Sequence, residues 1–143
     1  MIINNKIRGG GSLSGGGIIA VDGGQGGNVI IKNNILIDPG QYGIAIPSGN
    51  NIEITGNQIF GNQKSWTNVG IYVWNQYKNT VCSDNRISNN QINYINKKGI
   101  SNPYWDSGNC GEINLSNNTL KNLAITQKTW DINFSECRKS LKR

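Results

Sequence analysis

The chain has 143 residues, one domain's worth, with 19 Gly, an evident excess of Asn, 3 Pro and a charged fraction of only 15%. Gly and Asn tolerate positive φ and tight turns, and Ile dominates the 36% apolar content, so the composition favours strands and turns over helices. The absence of His argues against a zinc site, and the +6 formal charge comes mostly from scattered residues, which argues against a nucleic-acid stripe.

Taken in chain order, five segments superimpose. They are Ile3-Asn4-Asn5-Lys6-Ile7, Val29 to Leu36, Ile52 to Ile59, Thr80 to Ile87 and Ile113 to Leu120. Each carries an alternating apolar pair, a short polar corner ending in Asn, and an apolar residue two positions on. The anchoring asparagines are Asn5, Asn34, Asn57, Asn85 and Asn118, spaced 29, 23, 28 and 33 residues apart. Fixed units joined by linkers of variable length mark a solenoid whose insertions emerge as loops. Between the anchors lies a second, shorter strand introduced by Gly: Gly17 to Val21, Gly43 to Ile46, Gly70 to Val73 and, weakly, Gly99-Ile100. Alternation turns Ile44, Ile46, Ile71 and Val73 inward and Ala45 and Tyr72 outward.

These features predict an all-β, right-handed parallel β-helix of about five coils over residues 1–125, in which stacked coils bury a continuous Ile/Val/Leu column. Asn at an equivalent corner of every coil can bond its counterparts above and below, so the anchors are read as a structural amide ladder, not as a catalytic motif. The regular Ile placement argues against disorder. No helical apolar stripe occurs before residue 126, and an antiparallel sandwich has no reason to repeat one Asn at a constant offset from Ile.

From 126 to 143 the pattern stops. Trp130, Phe134 and Leu141 are expected to form a C-terminal cap over the open core. Cys82 falls at an apolar core position and is read as a small buried hydrophobe. Cys110 and Cys137 could be bridged, pinning the tail, which the sequence leaves open. A start inside a repeat (Met1-Ile2-Ile3-Asn4-Asn5) suggests that upstream coils and a targeting segment are missing. The longest apolar runs, such as Ile18 to Val21, are far too short to span a membrane.

The I-x-I-x-x-N-x-I unit with its G-I-x-V strands resembles the parallel β-helix repeats of the pectate-lyase-like superfamily, over roughly residues 1–125. That resemblance implies the fold and a setting among polysaccharide lyases, hydrolases, esterases and uronan epimerases. No catalytic residue carries over. Asp22, Asp38, Asp84, Asp106 and Asp131 are dispersed, and no carboxylate group suited to a calcium ion is evident.

The candidate substrate-binding residues are Asp22, Trp66, Tyr72, Trp74, Lys97, Lys98 and Trp105. Tyr72 and Trp74 should leave one short strand on its outward side as an aromatic platform. Asp22 is expected at the Trp74 position two coils earlier, about 10 Å away at the strand spacing. The outward column of Trp74 is expected to include Pro47 and Pro103. Variable loops are expected to add Tyr42, Trp66, Tyr94, Lys97, Lys98, Tyr104 and Trp105. Aromatic faces stack on sugar rings, amides bond hydroxyls, and positive charge suits an acidic chain.

The expected function is therefore polysaccharide processing or glycan binding, as part of a lyase or epimerase acting on an acidic polysaccharide. The alternative is a non-catalytic structural or adhesion module. Catalysis stays open. No metal, cofactor, nucleic acid or membrane is expected as a partner, and the expected location is extracellular or periplasmic.

Overall fold

The computed structural model describes residues 1–9, 15–62, 69–95, 98, 100 and 102–120. These form stacked coils in which every strand pairing is parallel, the arrangement that right-handed crossovers produce. The protein is a right-handed parallel β-helix. The first sheet stacks Ile2–Ile3, Ile30–Lys32, Glu53–Thr55, Arg86–Ser88 and Asn114–Ser116. The second stacks Lys6–Arg8, Ile35–Ile37, Gln58–Asn62, Gln91–Ile95 and Thr119–Leu120. The third stacks Ile18–Ile19, Tyr42–Ile46, Val69–Val73 and Tyr104–Asp106. A short pair, Gly49–Asn50 and Cys82–Ser83, leads back into the first sheet.

Register converts the repeated Ile into columns. Ile2, Ile31, Ile54, Ile87 and Leu115 stand one above another in the first sheet. Ile7, Leu36, Ile59, Ile92 and Leu120 do so in the second. The third sheet supplies Ile18, Ile44, Ile71 and Tyr104. In the middle coils these side chains are fully buried, as expected for Ile54 and Ile71, and each contributes about 1.5–3 kcal/mol of burial.

Corners are built from a residue in the left-handed region followed by Asn. Asn4, Asn33, Gly56, Asn89 and Asn117 all have positive φ, and each precedes a ladder asparagine. The ladder runs Asn5, Asn34, Asn57, Asn90, Asn118, each side-chain amide donating to the next side-chain oxygen at 2.9–3.0 Å. Asn90, not Asn85, is therefore the fourth anchor, and the last two spacings become 33 and 28. Asn85 instead closes a different corner after Asp84, another positive-φ residue. It is buried in a column otherwise occupied by Val29, Ile52 and Ile113. There it accepts from the Ile52 backbone N–H at 2.9 Å and donates to the Gly49 carbonyl oxygen at 3.3 Å.

Three further expectations are corrected. The third-sheet strand of the fourth coil is Tyr104–Asp106, whereas Ile100 is exposed and outside any strand. Tyr94 is not a loop residue: it is fully buried in the core, above Gly61, and its hydroxyl donates to the Gly40 carbonyl oxygen at 2.5 Å. Burial pushes that hydroxyl far above the ordinary tyrosine range, with Asp38 adding to the effect. Cys82 is buried as expected, but as one half of a disulfide with Cys110 across 28 residues. That offset equals the one that pairs Arg86 with Asn114, so the bridge joins equivalent positions of successive coils. Cys137 and the expected cap of Trp130, Phe134 and Leu141 lie outside the described residues.

Candidate functional site

The outer face of the third sheet collects the aromatic residues. Tyr72 pairs with Ala45 below and Trp105 above, so the rings of Tyr72 and Trp105 occupy one outward row. They approach to 6.5 Å between centroids at 49°. Trp74, the first residue after the strand ending at Val73, meets Trp105 edge to face at 6.2 Å and 85°. Tyr42, at the start of the strand below, meets Tyr72 at 5.4 Å and 74°. Its ring lies across Gly16, where a Cβ would fall 2.1 Å from the Tyr42 Cε2 atom. A side chain at that position would push Tyr42 out of the cluster.

Rings that meet edge to face wall a concavity and do not make one flat surface. Between them runs an open groove of about 350 Å³, its aromatic walls supplemented by Val69 and by the amides of Gln41, Gln76 and Asn102. Trp74 and Trp105 are 46% and 44% exposed, so both groove-lining rings keep surface open to solvent.

The turn after Trp74 supplies the polar edge. Asn75 and Thr80 close it: the Asn75 amide donates to the Thr80 carbonyl oxygen at 3.2 Å, and the Thr80 hydroxyl donates back to Asn75 Oδ1 at 2.7 Å. Gln76 and Tyr77, held between them, reach in two directions. The Gln76 amide donates to the Tyr72 hydroxyl, and the Tyr77 hydroxyl donates to the Asp22 carboxylate. Burial raises the Tyr72 hydroxyl above its usual range, with contributions from Tyr42 and Asp22 and a partial offset from the Gln76 contact. Tyr42 is raised by burial and then by Asp22. The hydrogen bond to Asp22 is the first cause of the upward shift at Tyr77.

Of the seven residues singled out in the sequence, the structure gathers Tyr72, Trp74 and Trp105 around the groove, while Asp22 does not line it and is bonded by Tyr77 of the adjoining turn. Register places Pro47, and by extension Val21, in the row of Trp74, so Asp22 sits one residue past the expected position. Pro103 aligns with Gly70 and is absent from that row. Lys98 is exposed and does not line the groove. Trp66 and Lys97 lie outside the described residues. Gln41, Gln76, Tyr77 and Asn102 carry no periodic sequence signal and emerge only from the fold, while Tyr42 is a strand residue and not a loop one.

Tyr104 and Asp106 alternate with Trp105 and follow the inward rows of Ile71 and Val73. The Tyr104 hydroxyl donates to Asp106 at 3.0 Å, and burial followed by this contact holds the hydroxyl well above its usual range. Among the described residues no group of three His, Cys, Asp or Glu side chains could hold a metal ion. Among the described residues no carboxylate lines the groove itself; Asp22 is tied to its edge through Tyr77, the neighbour of the lining residue Gln76.

Compared with curated proteins and with solved structures, the chain finds no match in either. A family model described as "Right handed beta helix region" matches residues 1–136. Nearly the whole chain thus carries the family's pattern, and the protein belongs to the right-handed β-helix family.

Proposed function

We propose that this β-helix is a glycan-binding module that uses the aromatic groove on its third sheet. The observation that carries the proposal is the meeting of Tyr42, Tyr72, Trp74 and Trp105 around an open groove edged by Gln41, Gln76 and Asn102. Pyranose rings present apolar C–H faces to aromatic walls and hydroxyls to amides, so this mixture suits sugar better than a purely apolar ligand. The reading favours binding over bond cleavage. Glycoside hydrolysis commonly needs two facing carboxylates, and Asp106 belongs to an inward row. The Cys82–Cys110 bridge supports an extracellular or periplasmic setting, where disulfides persist.

The test is a Tyr72→Ala, Trp74→Ala double variant screened by titration against acidic, neutral and amino oligosaccharides. It should stay folded, because both side chains leave the outer face, and lose at least about ten-fold in affinity, or about 1.4 kcal/mol. If the unaltered protein binds none of these sugars, the aromatics serve only to pack the outer face, and the structural or adhesion module takes the place of this reading.

A further inference from the structure

Resting on the glycan reading, we infer that the groove selects sugars bearing a protonated amine, with Asp22 as the counter-charge at its edge. Asp22 is exposed, and the Tyr77 hydroxyl engages its Oδ1 atom. The adjacent Gln76 bonds the Tyr72 hydroxyl inside the groove, so two neighbouring residues of one turn tie the carboxylate to the aromatic wall. Burial is the main cause of the upward shifts at Tyr42 and Tyr72, and Asp22 adds to both in the same direction.

The walls reinforce that sign. Aromatic faces carry the negative side of a quadrupole and attract ammonium groups, and four aromatic residues line this groove. Among the described residues that line the groove there is no Lys or Arg. Lys78 follows Tyr77 in the same turn and is exposed, so it weakens the field without entering the groove. The formal charge of +6 does not contradict this. Six of the 14 basic residues lie after position 120, leaving 8 basic against 6 acidic residues before it. A uronate carboxylate at this edge would meet the like charge of Asp22 and any ring face it stacks on, both repulsive. An ammonium would meet the same groups as attractions.

The test titrates the full chain with three oligosaccharides of equal length: glucosamine, N-acetylglucosamine and galacturonate oligomers, at a pH where the amine is protonated. The amine form should bind about five-fold more tightly than its acetylated counterpart, the size expected of one partly exposed charge pair, and the gap should narrow as salt rises. Asp22→Asn should bring the ratio close to one. Tyr77→Phe, which leaves the carboxylate in place, should preserve it. Equal binding of amine and acetylated forms, preference for galacturonate, or an unchanged ratio in Asp22→Asn would overturn the inference and leave glycan binding standing. Failure of all three oligomers to bind would overturn both.

Discussion

Asn57 is fully buried in the middle of the ladder, and each of its side-chain polar atoms is engaged. Its Oδ1 accepts from the backbone N–H and the amide of Asn34, while its Nδ2 donates to Asn90 Oδ1 and to the Ile31 carbonyl oxygen. Asn57→Ala strands partners in the coils above and below, and buried polar groups left unpaired cost about 1–3 kcal/mol. A denaturant titration should therefore show a lower midpoint with an unchanged slope; an unshifted midpoint would mean that the amide ladder contributes nothing to stability. The ladder itself is legible in the sequence, but its fourth member is not. Asn85-Arg86-Ile87 and Asn90-Gln91-Ile92 satisfy the same local pattern, because both corners need a left-handed residue followed by Asn. Only pairing with the coil below separates them: Ile87 lies on Ile54, which sends Asn90 to the ladder and Asn85 into an apolar column.

The Gly-introduced strands are legible as well, and the structure gives their physical reason. Gly43 and Gly70 stand where the third sheet passes close to the second. A Cβ on Gly70 would fall 2.4 Å from Ile92 Cγ2 and 2.5 Å from the Pro103 carbonyl oxygen, and one on Gly43 would fall 2.4 Å from the Gly70 carbonyl oxygen. Gly→Ala often stabilises by about 0.4–1 kcal/mol by restricting the unfolded chain. At Gly70 the overpacking cost of about 1–3 kcal/mol should win, so Gly70→Ala is expected to lower the thermal midpoint. A raised midpoint would show that the two sheets have room to separate. The next coil has Pro103 at this position, and without the glycine signal its strand reads as loop. That is why Tyr104 and Trp105 look like insertion residues in the sequence, although Trp105 completes the outward row of Tyr72. Linker lengths differ from coil to coil, so counting residues cannot place a strand whose opening residue is atypical.

At the scale of the whole molecule, each coil touches only its neighbours, so stability should distribute as a chain of coil-to-coil interfaces. The interior coils hold fully buried side chains on both sides. The coil containing Asn114–Ser116 and Thr119–Leu120 leaves Leu115 49% and Leu120 46% exposed in the described structure. The Cys82–Cys110 bridge ties that last described coil to the one below it. Closing a loop of this length in the unfolded chain is worth about 3–4 kcal/mol on chain-entropy grounds. In a one-dimensional stack that contribution should act mainly at its own interface. The double variant Cys82→Ser, Cys110→Ser removes the bridge without leaving a lone thiol from the pair. Hydrogen exchange should then show protection falling first in Asn114–Ser116 and Thr119–Leu120, while Glu53–Thr55 and Gln58–Asn62 keep theirs. A uniform loss of protection through all coils would show instead that the stack opens as one cooperative unit and that the bridge stabilises the whole of it. Titration of the same variant with oligosaccharide separates the two cases at the groove. Trp105 lies on the strand just before Cys110, so local fraying should weaken binding before the lower coils lose protection, whereas cooperative opening should abolish both together.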